Sequence, residues 1–194
     1  MIYPIRDNVD AAGSQLINWV AEIETPRHRR RDWNRRGRLD DFLPAFADWR
    51  FDWLDVPGLV RNADAILEFP MVDQDPLPGW SFGRVTLLGD AAHPMVPRGS
   101  NGAGQAILDA VTLAQCLAAN PNPVAALKDY EDRRLAATSK IVVTNRETPP
   151  DAILREVYLR TGDKPFANIE DVISPAELNA LSAGYKRISG QDKA

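Results

Sequence analysis

The sequence predicts an α/β fold in which a short, β-rich N-terminal part precedes a mainly helical C-terminal part. Two apolar runs joined by a glycine-containing turn indicate the first part. A continuous apolar run at residues 85–88, followed by a glycine-rich loop and then by apolar residues at helical spacing, indicates the second part. The 194 residues are 44% hydrophobic and 26% charged, a composition that can bury a core without disulfide bonds.

Charge and cysteine content exclude several classes of protein. The net charge is −4 and the chain has one cysteine, Cys116, so we expect neither general attraction to nucleic acid nor an internal disulfide framework. The two histidines lack ligand spacing, so no metal site is predicted. No run of about 18 apolar residues is present, and the first residues do not resemble a targeting signal. We therefore expect a cytoplasmic protein without a membrane or nucleic-acid partner.

The N-terminal part is expected to contain an antiparallel strand pair. Residues 2–5 and 15–23 have strand composition, and residues 10–13 between them have turn chemistry. Other elements predicted in this part are a helix over 42–49 capped by Asp40 or Asp41, a helix with Pro57 at its first position, and a strand over 66–72.

The C-terminal part is predicted to begin with a strand over 85–88 that is buried on both faces of a sheet. Helices are predicted after it from apolar spacing, capping residues and proline breaks. Their limits are 103–119, 122–147 (opened by Asn122 and Pro123 and ended by Pro149 and Pro150), 151–160, and 175–185 with Ser174 as the cap.

The loop between the predicted strand and the first of these helices carries the chemistry. Asp90 comes directly after the strand, where open α/β sheets have their ligand crevice. Gly99, Gly102 and Gly104 allow the backbone to approach a ligand closely, and the helix then offers unpaired N–H groups and a partial positive charge. This arrangement suits an oxyanion. Gln105 follows Gly104 where a Walker loop has lysine, and the glycine spacing differs from that of the dinucleotide fingerprint.

Residues 83–110, with the pattern GRVTLLGDAAHPMxPxGxNGAxQAILDA, resemble the second FAD motif of the class A flavoprotein aromatic hydroxylases. The resemblance continues through residues 129–134 and 145–147. Residues 3–5, 17–19 and 69–73 are most similar to the branch that contains phenazine-modifying monooxygenases. The chain resembles only the C-terminal half of that family, since the Gly-x-Gly-x-x-Gly turn and the middle motif are missing. We therefore expect a fragment, a mis-assigned start or one part of a split protein.

The resemblance implies an FAD- and NAD(P)H-dependent monooxygenase that hydroxylates an aromatic small molecule with oxygen through a flavin C4a-hydroperoxide. Asp90 would bind the ribityl chain of FAD, and Pro97 would lie beside the isoalloxazine ring. The N–H groups of Ala103 and Gly104 would face the N1/O2 edge of the flavin. The full set of cofactor-binding positions is Gly89, Asp90, Pro97, Gly99, Gly102, Ala103 and Gly104. No catalytic side chain is assigned.

The implied fold is part of a mixed substrate-domain sheet, followed by the closing strand and C-terminal helices of an FAD-binding domain like that of p-hydroxybenzoate hydroxylase. The expected domains are a partial substrate-binding domain at 1–76, the C-terminal part of the FAD-binding domain at 77–165, and a helical tail at 166–194. A strand left without neighbours exposes its edges, so we expect dimerisation or poor solubility of the isolated chain.

Other interpretations remain open at this stage. The chain could be a truncated, non-catalytic product that acts as an interaction module or needs a partner supplying the N-terminal half. An arginine run around Trp33 could bind a phosphate-rich polymer or NAD(P)H phosphates, although a solvated loop is the expectation. The run comprises Arg27, Arg29, Arg30, Arg31, Arg35, Arg36 and Arg38. His93 with Asp90 and Ser100 does not form a triad motif, because the nucleophile elbow is missing; a structural role is expected.

Overall fold

A computed structural model describes residues 1–23, 32–147 and 151–189 as a mixture of helices and small sheets. The chain divides into two compact units, Met1–Pro70 and Met71–Ala194. His28, the four arginines at positions 27 and 29–31, and the predicted helix break at residues 148–150 lie outside the described residues.

The first unit opens with the predicted strand pair. Strand β1 (Ile2–Arg6) pairs antiparallel with β2 (Leu16–Trp19), with Ile2 opposite Trp19 and an irregularity between Pro4 and Arg6. Asp10 organises the intervening turn, because its Oδ1 accepts hydrogen bonds from the amides of Ala12 (3.0 Å) and Ser14 (2.9 Å). The antiparallel pair predicted across this turn is confirmed, although β2 is shorter than expected.

The rest of the first unit is built from short elements. They are α1 (Leu39–Phe42), a 3-10 turn (Leu43–Phe46), β3 (Arg50–Phe51), β4 (Leu54–Asp55) and α2 (Val56–Arg61), with β3 and β4 antiparallel. The helix predicted over 42–49 is wrong, because Pro44 lacks the N–H that would extend α1. The predicted cap by Asp40 or Asp41 is also wrong, since the residue before α1 is Arg38 and its side chain makes no capping hydrogen bond.

The helix predicted at Pro57 is confirmed as α2, which the Asp55 carboxylate caps by accepting the Gly58 amide at 3.1 Å. The strand predicted over 66–72 is wrong. Only residues 66–68 pair with another segment, residues 35–37, through two backbone hydrogen bonds and one isolated bridge between Leu67 and Arg36. Among the described residues of this unit, only Pro57 and Val60 are buried.

The second unit contains the long helices at nearly the predicted limits. They are α3 (Gly102–Ala119), α4 (Pro123–Glu147), α5 (Ala152–Thr161) and α6 (Pro175–Ser189). Asn122 caps α4 by accepting the Val124 amide at 3.0 Å. Ser174 and Glu177 form a capping box at α6, in which the Ser174 amide donates to Glu177 Oε2 and the Glu177 amide donates to Ser174 Oγ. These caps explain why local sequence signals were sufficient to predict the helices.

The core of the second unit forms where α3 and α4 pack together. Its fully buried centre consists of Trp80, Ala92, Cys116, Ala126 and Tyr130. The Trp80 ring lies 5.8 Å from that of Tyr130 and 5.6 Å from that of His93. Burial raises the pKa of the Cys116 thiol, so this cysteine belongs to the packing.

The strand predicted over residues 85–88 is not formed in the described structure. Val85 forms an isolated bridge with Phe82, and no described strand lies beside it. The side chains of Val85 and Leu88 are exposed at 63% and 40%, so the run is not buried on both faces. A strand requires a neighbour for its ladder of hydrogen bonds, and none of the described residues provides one. In the part of the chain that is described, no helix has the length and apolar character needed to cross a membrane.

Candidate functional site

The site loop, residues 89–104, connects the apolar run to the first turn of α3. It contains two 3-10 turns, Gly89–Ala91 and Pro97–Gly99. Gly89 has φ 57°, and Ser100 adopts the same left-handed region with φ 51°, closing the second turn by donating its amide to the Pro97 carbonyl at 3.0 Å. The loop therefore has a defined path with a sharp bend near each end.

A charged network fixes the first end of the loop. Asp109, on α3, is fully buried and accepts hydrogen bonds from His93 Nε2 (2.6 Å), from the Gly89 amide (2.9 Å) and from Arg134 Nε (2.7 Å). Arg134, on α4, also donates to Gln105 Oε1 at 2.7 Å. One carboxylate thus connects the loop to α3 and α4.

The ionised state of Asp109 follows from these contacts. Burial raises the pKa of the Asp109 carboxyl, but the hydrogen bonds from His93, Arg134 and the Gly89 amide lower it more, so the net pKa lies below its usual value. His93 Nε2 therefore carries the hydrogen and donates a hydrogen bond to the Asp109 carboxylate. His93 Nδ1 is buried and has no hydrogen-bond partner among the described residues. The partner of His93 is Asp109 rather than Asp90, and the structural role expected for this histidine agrees with its burial.

A neutral network fixes the second end of the loop. Asn101, Asn145 and Tyr185 are all buried, and they come from the loop, α4 and α6. Asn101 Nδ2 donates to the Tyr185 hydroxyl at 2.6 Å, and that hydroxyl donates to Asn145 Oδ1 at 2.7 Å. A Cβ atom on Gly99 would overlap the Tyr185 hydroxyl and come within 2.8 Å of Asn145 Oδ1. Glycine is therefore required at position 99 by the close approach of Tyr185.

A buried glutamate holds the segment that precedes the loop. Glu131 Oε2 accepts the amides of Trp80 (2.7 Å) and Ser81 (2.6 Å), and Lys128 donates to the other carboxylate oxygen. Burial opposes ionisation of Glu131, but the hydrogen bonds from Lys128, Trp80 and Ser81 outweigh it and lower its pKa to about 2. This carboxylate anchors the chain at Trp80, next to the ring that packs on His93.

The predicted site residues fall into two groups. Gly89 and Gly99 are buried, Gly102 is half-buried, and Asp90, Pro97, Ala103 and Gly104 are exposed. The Asp90 carboxylate has no hydrogen bond or ion pair with a described residue, and the same holds for the amides of Ala103 and Gly104. A Cβ atom at Gly104 would meet nothing within 4 Å. The outer side of the loop thus presents a carboxylate, two amides and an open backbone surface.

These groups have the chemistry that an extended, polar cofactor requires. A carboxylate can accept hydrogen bonds from hydroxyl groups, and amides at the start of an 18-residue helix can donate to an electron-rich edge. Residues 71–145 match the family model described as an FAD binding domain.

The resemblance to the class A flavoprotein aromatic hydroxylases is confirmed for part of the chain.

Named relatives support the same family. The chain is 44% identical over 189 residues to a phenazine 1,6-dicarboxylic acid hydroxylase of Lysobacter antibioticus, covering 96% of this chain and 44% of the relative. It is 41% identical over 133 residues to a 3-amino-4-hydroxybenzoate 2-monooxygenase of Streptomyces platensis (68% of this chain, 33% of the relative). It is 51% identical over 89 residues to a 3-hydroxybenzoate 6-hydroxylase of Aquipseudomonas alcaligenes (46% and 23%). The chain spans less than half the length of these relatives.

Sequence reasoning missed the side chains that hold the loop from inside. They are Gln105, Asp109, Arg134, Asn101, Asn145 and Tyr185. One available signal was the placement of Gln105 and Asp109 four residues apart on the same face of α3, a mainly apolar helix. Tyr185 had no local signal, because its partners lie 84 and 40 positions away in the sequence.

Proposed function

We propose that this chain belongs to an FAD- and NAD(P)H-dependent monooxygenase that uses oxygen to hydroxylate an aromatic small molecule. The observation that carries the proposal is the outer side of the site loop, where Asp90, Pro97, Ala103 and Gly104 are exposed. The Asp90 carboxylate and the amides of Ala103 and Gly104 have no hydrogen-bond partner among the described residues. The match of residues 71–145 to an FAD binding domain and the hydroxylase names of the relatives support it.

The residues of this chain would bind and orient the cofactor. FAD, when bound, supplies the redox chemistry that activates oxygen. Asp90 would accept hydrogen bonds from its ribityl hydroxyls, and the N–H groups of Ala103 and Gly104 would donate to the N1/O2 edge of the flavin. Negative charge on that edge in the reduced state would be stabilised by the start of α3, by about 0.3–1 kcal/mol. Pro97 would cover the ring and keep water out, while Gly89, Gly99 and Gly102 shape the loop.

The domain assignment is part of the proposal. Residues 1–76 would contribute a partial substrate-binding domain, residues 77–165 the C-terminal part of the FAD-binding domain, and residues 166–194 a helical tail.

Residues 85–88 would become the closing strand of the FAD-domain sheet when neighbouring strands are supplied from outside this chain. The exposure of Val85 (63%) and Leu88 (40%) supports this, since apolar side chains in such a run favour burial. A longer form of the protein or a partner with the N-terminal half would supply those strands; a homodimer would cover the same edge.

Flavin binding tests the proposal directly. The protein containing this chain is purified with FAD, and its absorbance near 450 nm after gel filtration is compared with that of Asp90→Asn and of the matched control Asp132→Asn. Asp132 is an exposed carboxylate on α4 that pairs with Lys128 at 3.1 Å. We expect Asp90→Asn to weaken FAD binding about tenfold, because a charge-assisted acceptor is lost, and the control to bind normally. Equal affinity in all three would contradict the assignment of Asp90.

Activity separates this function from the alternative of a non-catalytic chain that serves as an interaction module. The exposed apolar residues of α3, Ile107 (65%) and Val111 (48%), favour that alternative, because they suit contact with further protein. Oxidation of NADH or NADPH is followed with oxygen uptake across a panel of hydroxylated benzoates and phenazine carboxylates. Aromatic-stimulated oxidation with a hydroxylated product supports the monooxygenase. A protein that binds FAD but oxidises neither nicotinamide under any condition would favour the module.

A further inference from the structure

The Tyr185 hydroxyl is the meeting point of three segments that are far apart in the sequence. The loop contributes Asn101, α4 contributes Asn145, and Tyr185 itself comes from the C-terminal helix α6. Asn145 also donates to the Val96 carbonyl at 3.4 Å. The hydroxyl is therefore both a donor and an acceptor, and together with Asn145 it holds the loop on both sides of the Pro97–Gly99 turn.

The three side chains in this network are buried. The exposed fractions of Tyr185, Asn101 and Asn145 are 6%, 5% and 1%, so water has little access to replace a lost partner. The backbone of Gly99 packs directly against the hydroxyl, where a Cβ atom has no space. Removing the oxygen would take one hydrogen-bond partner from Asn101 Nδ2 and one from Asn145 Oδ1 beneath the turn, and would leave a small void.

The same turn carries the exposed Pro97, and α3 begins at Gly102, three residues after the turn ends. The position of Pro97 and the direction of the α3 amides therefore depend on the conformation that Tyr185 supports. We propose that Tyr185 is a positioning residue that holds the second end of the site loop, so that the C-terminal helix contributes to cofactor binding. Tyr185 lies outside residues 71–145, which match the FAD binding domain. The cofactor part of this inference rests on the proposed function.

Amide hydrogen exchange and FAD affinity together test the inference. The variant is Tyr185→Phe, and the matched control is Tyr158→Phe, which removes a hydroxyl from an exposed tyrosine on α5. Exchange is measured for residues 96–104 and, as an internal reference, for residues 110–119 of α3. FAD affinity and the position of the bound-flavin absorption band are measured on the same preparations.

We expect Tyr185→Phe to speed exchange in residues 96–104 about tenfold, to leave residues 110–119 unchanged, to weaken FAD binding about tenfold and to shift the flavin band. The control should change none of these. Unchanged exchange in residues 96–104 would overturn the positioning role, and faster exchange throughout the second unit would replace it with general stabilisation.

The two proposals fail in different ways. If exchange rises locally but even the unsubstituted protein does not bind FAD, the proposed function fails while the positioning of the loop by Tyr185 is upheld. If exchange rises locally and FAD binds with unchanged affinity and spectrum, the function stands and the link from Tyr185 to the cofactor is overturned.

Discussion

The two units of this chain differ most in what they bury. In Met1–Pro70, only Pro57 and Val60 are buried among the described residues, and Trp53 is exposed at 79%. In Met71–Ala194, Trp80 and Tyr130 are almost completely inaccessible, and buried polar side chains surround the site loop. Two-stranded ribbons have no second layer to cover their faces, whereas α3 and α4 cover each other. The comparison teaches that the second unit has a core of its own, whereas the described residues of the first unit bury very little side-chain surface.

The largest expected effect is the loss of a buried tryptophan of the second unit, compared with the loss of an exposed tryptophan of the first. Trp80→Ala should lower the free energy of unfolding by about 3–5 kcal/mol, because it empties the centre of the core. Trp53→Ala should change it by less than about 0.5 kcal/mol, because the side chain is mostly exposed. Urea denaturation followed by circular dichroism measures both. Similar losses of unfolding free energy for the two variants would contradict the difference in burial between the two units.

A second pair of substitutions tests the charged network inside the second unit. Asp109→Asn should lower the free energy of unfolding by about 3 kcal/mol, because Arg134 would lose its charged partner. The Arg134 side chain is only 11% exposed. Asp90→Asn makes the same chemical change on the exposed side of the loop and should leave stability within about 0.5 kcal/mol. Denaturation midpoints that move together would mean that the Asp109 contacts do not stabilise the fold.

Two glycines of the site loop test its packed and open sides. Gly99→Ala should destabilise the protein by about 2 kcal/mol, since the new methyl group has to displace Tyr185 or Asn145. Gly104→Ala meets open space within α3 and should stabilise it by up to about 1 kcal/mol. Thermal unfolding of both variants provides the measurement. An unchanged thermal unfolding temperature for Gly99→Ala would show that Tyr185 and Asn145 do not pack tightly against position 99.

The last comparison concerns the response of the second unit to acid. The pKa of Glu131 is about 2 in the folded chain and 4.5 ordinarily, so between these values the folded state keeps a carboxylate that the unfolded chain protonates. The stabilisation by Glu131 is therefore complete above about pH 4.5 and is lost as the pH falls toward about 2. Asp109, whose pKa is also lowered, adds a loss in the same direction.

Glu131→Gln should flatten this acid dependence, measured as the free energy of unfolding between pH 5 and pH 2. The neutral network of Tyr185 contributes no such dependence, so Tyr185→Phe should leave the slope unchanged. A Glu131→Gln protein with an unaltered slope would assign the acid sensitivity to other carboxylates.

The helices of the second unit were predictable because their signals are local. Asn122 and Ser174 cap α4 and α6 with hydrogen bonds to residues two or three positions away. Asp10 and the β1–β2 turn follow the same rule. The helix predicted over 42–49 is wrong for a reason that is also local, since Pro44 lacks the N–H that would continue α1.

The sequence by itself thus determined the approximate limits of the helices in the second unit, the hairpin turn and the resemblance of the site loop to an FAD motif, since each depends on residues close together along the chain. Tertiary structure alone decided that residues 85–88 form no strand, because a strand requires hydrogen-bond partners from elsewhere. It also decided which side of the loop is packed. Asp109 meets Arg134 across 25 positions and Tyr185 meets Asn101 across 84, and only the packing of α3, α4 and α6 brings those groups within hydrogen-bond distance.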